Sequence, residues 1–323
     1  MASLSETAQT LGAVAAVNGS RFAADEVAAL AQLPQPEVLE VLTQLYRKGL
    51  IAIEAPVGHY RFTTGHVAHA LLETALPEQR LIWHERAADL HAADPIKRAR
   101  HVAAITAGPE AVAAVVDAAE ANVARGQHHE AVADYERAIE LAQEPLAPAS
   151  CIGFVRALDL SGRHDEADKV RDSAWRRAID DGDHPTALAV LLASWPEAEA
   201  FADPDRTVAR LDAIDADGLS DDEKILYTTH WSRHLSMAGR EADAAAVIDR
   251  ARATASSPAD RIDLALAARY ASSAGSTPQS CLDQLDEIRP LLSEVGAPRR
   301  ADVLVHQAID AYELGSAERL DAI

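Results

Sequence analysis

Residues 121–145 read ANVARGQHHEAVADYERAIELAQEP, and their spacing decides the fold. Gly126 breaks a helical run as a turn, and Glu130-Ala131 opens a second helix. Tyr135, Ala138 and Ile139 follow on the face that this second helix buries. An alanine stands five positions after the glycine, an aromatic four after that, and an alanine three further on. The reason for such spacing is steric. Small residues let two helices approach closely, and one large side chain fills the groove beside them.

The pattern returns at Gly162, Ala167 and Ala174, and again at Gly239, Ala244, Ile248 and Ala251. It is weaker at Gly275, Ser280 and Gln284. Gly126 to Gly162 and Gly239 to Gly275 are both steps of 36 positions. A fixed period of this length marks stacked helical hairpins, and the unit resembles the tetratricopeptide repeat. Residues 109–323 are therefore expected to form a tetratricopeptide-like α-solenoid. Residues 182–222 are less regular, with a loop at Asp215-Ala216-Asp217-Gly218. The last turn glycine is Gly315, and Ile323 follows with no polar capping helix between. Because terminal repeats need such a cap, the chain reads as a piece of a longer protein.

Upstream, residues 1–75 read as a separate module. Ser5 suits the N-cap of a helix over 5–17. Asp25 to Ala31 is a second short helix. Leu33-Pro34-Gln35-Pro36 is a turn, with Pro36 suited to the first position of a third helix over 36–48. That helix aligns Val38, Leu39, Leu42 and Leu45 and stops at Gly49. Leu50-Ile51-Ala52-Ile53 and His59-Tyr60-Arg61-Phe62 are strands joined by the turn Pro56-Val57-Gly58. Three helices and a small hairpin are the layout of a winged helix. Residues 76–108 are expected to be connecting helices. The fold class is thus all-α, with a winged-helix-like N-terminal module leading into the solenoid.

Composition agrees. Hydrophobic residues make up 48% of the 323 positions but aromatics only 4%, which suits thin, alanine-rich helices packed closely. The formal charge of −21 opposes phosphate contact. In the third helix Glu37 and Glu40 stand near its start, where base-reading residues would be needed, and only Arg47 and Lys48, at its far end, are candidate DNA contacts. No direct nucleic-acid contact is expected. Cys151 and Cys281 are far apart and in no metal or redox spacing, which suits a reducing cytoplasm. No signal peptide or membrane-length apolar run is visible, so no membrane partner is expected.

Residues 21–142 resemble the middle of large bacterial regulators of the LuxR type, signal-transducing ATPases with numerous domains. The resemblance runs through Phe22, Ala28-Ala29-Leu30-Ala31, Val38-Leu39, Leu42, Leu45, Gly49-Leu50 and Tyr60-Arg61-Phe62. It continues through Leu71-Leu72-Glu73, Leu76-Pro77, Arg80, His84-Glu85-Arg86-Ala87-Ala88 and Ala99-Arg100-His101. It implies an ATPase module before the winged helix, repeats after it, and in many members a DNA-binding end, all parts of a longer chain. Two departures matter. Thr64 stands where the family usually has a nucleotide-touching His, and the nearest is His66. No Gly-x-x-x-x-Gly-Lys-[Ser/Thr] phosphate loop occurs.

No set of residues reads as catalytic, and no cofactor or metal is expected. His66 with His69, and His84 with His91, have zinc-compatible spacing but no defined further ligands. His128-His129 sits in a repeat turn. Asp180-Asp181-Gly182-Asp183 lacks the spacing and closing Glu of a calcium loop and reads as a helix end. Trp175, Trp195 and Trp231 either line a groove or fill gaps between helices. With Arg176 and Arg233 they are the candidate groove for a protein or small-molecule effector. The expected function is effector sensing and protein interaction in a transcriptional regulator. The alternatives are a standalone repeat adaptor and a DNA-binding winged helix.

Overall fold

The computed structural model describes residues 4–193, 203–272 and 277–322. The chain is mostly helical, with one small antiparallel sheet, and divides into two compact units, Met1–Ala167 and Asp168–Ile323. Among the described residues no helix is long and apolar enough to cross a membrane.

The first unit opens with α1 (Glu6–Asn18), β1 (Arg21–Ala23), α2 (Ala24–Ala31), α3 (Gln35–Arg47), β2 (Ile51–Glu54), β3 (His59–Phe62) and α4 (Gly65–Leu72). The Ser5 hydroxyl accepts the Ala8 amide at 3.2 Å and caps α1. Leu11, Val14 and Val17 are buried among alanines, so α1 is the central helix of this part. Gly12 lets α4 come close, since a Cβ there would lie 3.1 Å from the Leu71 methyls. α3 buries Val38, Val41, Leu42 and Leu45. The two expected strands form, one residue later than expected at β2, and a third joins them. β1 pairs with β3 through Arg21↔Arg61 and Phe22↔Tyr60, giving the order β1-β3-β2. Three residues are too few to show an alternating pattern, so β1 carries no periodic signal. Phe22 packs on Phe62, ring centroids 5.2 Å apart, and seals the sheet against the core.

Helices then follow in close succession: α5 (Pro77–Leu90), α6 (Pro95–Ile105), α7 (Pro109–Ala124), α8 (His128–Ala142) and α9 (Pro148–Leu160). Four of these five open on a proline, whose missing N–H leaves no bond unmade at a helix start. Gly126 turns α7 into α8 at φ +73°, a left-handed conformation that a side chain would strain. Tyr135 of α8 is fully buried against Phe154 of α9. A Cβ at Gly153 would overlap the Tyr135 hydroxyl, which itself has no hydrogen-bond partner among the described residues. Gly153→Ala is therefore expected to destabilise the first unit by about 1–3 kcal/mol, despite alanine's better helix propensity. Tyr135→Phe removes the obstructing oxygen and an unsatisfied polar atom, so it should be neutral or stabilising and should rescue Gly153→Ala. Urea melts of the single and double variants check this; additive effects would show that the two positions do not meet.

The second unit begins within α10 (His164–Asp180) and continues through α11 (His184–Leu191), α12 (Pro204–Asp212), a short 3₁₀ turn, α13 (Asp221–Met237), α14 (Glu241–Arg252) and α15 (Pro258–Ser272). α16 (Pro278–Ile288), a second 3₁₀ turn, α17 (Ala297–Glu313) and α18 (Ala317–Ala322) complete it. The 180–183 loop ends α10, and Asp183 caps α11 by accepting the Thr186 amide at 3.1 Å. Gly239 and Gly315 lie in turns at positive φ, as Gly162 does in the first unit. Gly275 lies outside the described residues. α13 packs on both α14 and α15, and α15 on α14, α16 and α17. Short turns make successive helices antiparallel, so α13, α15 and α17 run the same way side by side. Arg269 of α15 and Asp310 of α17, both largely buried, lock two of them together.

Candidate functional site

The tryptophans expected to line a groove belong in part to the core. Trp175 and Trp231 both pack on one apolar cluster around Leu188, Leu211 and Tyr227. Trp231 stacks near Tyr227 at 5.2 Å and also borders a cavity of about 470 Å³ between α13 and α14. Arg176 is exposed. Arg233 lies over the Tyr270 ring, 4.8 Å from its centroid. Trp195 lies outside the described residues. Arg47 and Lys48 are exposed at the end of α3, and Glu37 and Glu40 are exposed along its outer face with Leu39 and Tyr46.

A further cluster of polar groups lies elsewhere in the second unit, in a cavity of about 720 Å³ along α13, α15 and α17. Its floor is apolar, formed by Ile225 and Leu226 of α13 and Leu266 and Ala267 of α15. Asp222, Asp260, Asp263 and Asp302 stand toward the helix N-termini. Among the described residues Arg299 is the one arginine or lysine in the lining. It grips Asp263 through Nε at 2.9 Å and a terminal nitrogen at 2.9 Å. Hydrogen bonding to Asp263, then its charge and those of Asp260 and Asp222, holds the guanidinium even more firmly protonated than usual.

Tyr270 and His306 form the other end. The Tyr270 hydroxyl and His306 Nε2 are 2.7 Å apart, and His306 Nδ1 is 2.7 Å from the Asp302 carbonyl. A carbonyl can only accept, so Nδ1 carries the proton; in the neutral ring Nε2 then accepts from tyrosine. Asp263 to Arg299 and Tyr270 to His306 each span 36 positions, the same step that separates the turn glycines Gly126 and Gly162. None of these residues stood out in sequence, because acidic residues are common throughout. The 36-position glycine spacing is the one sequence signal that could have paired them.

A second polar cluster lies inside the first unit. His101 is fully buried; its Nδ1 is 3.0 Å from His84 Nδ1, and its Nε2 is 3.4 Å from an Arg100 terminal nitrogen. His91 stacks on the His101 ring at 5.8 Å and reaches the Asn18 amide oxygen through Nε2 at 3.0 Å. Asn18 in turn donates to Glu26 at 2.6 Å, and Lys97 closes on the other Glu26 oxygen at 2.7 Å. Arg100 also donates to the Asn18 carbonyl. These contacts join α1 and α2 to α5 and α6. Burial, then Arg100, holds the His101 pKa down to about 3; burial likewise lowers those of His84 and His91. Among the described residues no group of three or more His, Cys, Asp or Glu is arranged to hold a metal ion. The chain matches no known family model and no curated protein.

Proposed function

We propose that this chain is the effector-sensing, protein-interaction portion of a bacterial transcriptional regulator of the LuxR type. In this reading the first 75 residues are a winged helix used as a packing module, residues 76–108 are connecting helices, and residues 109–323 are tetratricopeptide-like repeats. What carries the reading is the groove along α13, α15 and α17, where residues 36 apart touch across like helices. Repeat proteins present such a surface because each unit adds one helix to a shared wall. A volume of several hundred Å³ with an apolar floor and a few charged groups is the usual form of a small-molecule site. Support for the winged helix is the element order α1-β1-α2-α3-β2-β3 with its sheet order β1-β3-β2. An effector acts by preferring one of two arrangements of the helices it touches.

A thermal-shift screen of small metabolites against the wild type and Leu266→Trp, which fills the groove floor, tests this. Compounds that stabilise only the wild type are expected. Compounds that stabilise both proteins equally, or none at all, would remove the groove from the function. The DNA-reading alternative predicts retardation of duplex DNA at moderate salt. With acidic residues along the outer face of α3 and basic ones only at its end, none is expected. Retardation lost in Arg47→Ala/Lys48→Ala would instead establish that alternative.

A further inference from the structure

Resting on the groove reading above, we infer that the ligand of the α13–α15–α17 cavity is a small organic cation: an ammonium or guanidinium head on an apolar body. Charge and shape both lead there. The lining holds four carboxylates, Asp222, Asp260, Asp263 and Asp302, against the single guanidinium of Arg299. The N-termini of the three helices add about +0.5 each. Negative charge therefore stays in excess, which suits a ligand of small positive charge. Asp263 is committed to Arg299, and Asp260 to the Ser257 amide at 3.1 Å. That leaves the carboxylates of Asp222 and Asp302, on the flanking helices α13 and α17, as the ones best placed to turn to a guest. The cation cannot sit at the opposite end, because Arg233 already covers one face of Tyr270 there. An apolar body instead runs from the carboxylates over Ile225, Leu226 and Leu266 toward Tyr270. About 720 Å³ holds a molecule of drug-like size rather than a folded partner.

The test uses 1-hexylamine and 1,6-diaminohexane, with 1-hexanol and hexanoate as neutral and anionic matches of the same length. Each is titrated into the full chain at constant ionic strength and followed by calorimetry and thermal midpoint. Both amines should bind in the millimolar range, with affinity falling at least threefold between low and high salt; the alcohol and the acid should not bind. Asp222→Asn/Asp302→Asn preserves shape and should weaken the amines at least fivefold while its melting curve stays near that of the wild type. Equal binding of hexanol, preferred binding of hexanoate, or amine binding unchanged in the double variant would each overturn the inference. So would binding of a lysine-containing tripeptide in place of the amines. Those outcomes leave the groove standing if Leu266→Trp abolishes the binding seen; if no probe or screened metabolite responds to Leu266→Trp, the groove reading fails as well.

Discussion

Replacing Asp310 with alanine should cost the second unit about 3–5 kcal/mol of folding stability. The Asp310 side chain is 3% exposed and that of Arg269 13%. Arg269 places Nε 2.8 Å from one carboxylate oxygen and a terminal nitrogen 2.5 Å from the other, a forked pair between α15 and α17. Hydrogen bonding to Asp310 raises the arginine's pKa; without that partner the guanidinium still stays charged, because arginine does not deprotonate in a protein. The loss arises from that stranded cation rather than from the pair's own net worth, which is small once desolvation is counted. Two results follow. Asp310→Ala lowers the urea midpoint sharply, and Asp310→Leu/Arg269→Met recovers most of it, because neither charge is then left buried. A drop below about 1 kcal/mol in Asp310→Ala would class the contact with exposed ion pairs. The substitution also loosens the wall beside Tyr270, so ligand binding in the groove should weaken with it.

That pair shows where reading the sequence stops. Arg269 and Asp310 are 41 positions apart, each one of many charged residues. Nothing local singles them out. The turn glycines were legible because their demand is local: Gly126, Gly162, Gly239 and Gly315 all sit at positive φ, which only the backbone at that point decides. The amphipathic face of α3 was legible for the same reason, since Val38, Leu42 and Leu45 recur at helical spacing. β1 was not, because its pairing partner lies near residue 60 and its own three residues make no pattern.

The candidate site divides along the same line. Large aromatics drew attention to Trp175 and Trp231, and both pack at least partly on a core cluster. The groove instead presents Tyr270, an aspartate set and His306, residue types too common to stand out. Only a shared spacing links them: Tyr270 with His306 and Asp263 with Arg299 are each 36 positions apart and meet between α15 and α17. The histidine cluster of the first unit had no such guide. Asn18, Glu26, His91 and His101 come from four separate elements or their ends, brought together by packing of α1 and α2 on α5 and of α5 on α6.

Acid should therefore weaken the first unit well before it protonates most carboxylates. His101 is fully buried with a folded-state pKa of about 3, against about 6.5 in the unfolded chain. The unfolded chain takes up the proton first, so this contribution is complete above pH 7 and declines as pH falls toward 3. The loss grows by about 1.4 kcal/mol per pH unit below 6.5, or roughly 2 kcal/mol at pH 5. Hydrogen bonding explains why the ring resists. Arg100 can only donate, so His101 Nε2 accepts from it, and His101 Nδ1 must donate to His84 Nδ1. A proton on Nε2 would break the Arg100 contact and set two cations side by side. Glu26, from α2, opposes this only weakly. Burial would raise the Glu26 pKa, but Lys97, the Ala23 amide and Asn18 hold it below normal, so its own contribution is lost in the same direction at still lower pH. Burial also brings His230 of the second unit down to about 4, which adds acid sensitivity there and makes a variant necessary for assignment. Urea melts at pH 7, 6 and 5 should show falling stability in the wild type. In His101→Gln the slope should flatten by the His101 share, since glutamine still accepts from Arg100 but cannot titrate. A wild-type curve that is level from pH 7 to 5, or one unchanged by His101→Gln, would mean that this buried ring is protonated as readily in the folded chain as in the unfolded one.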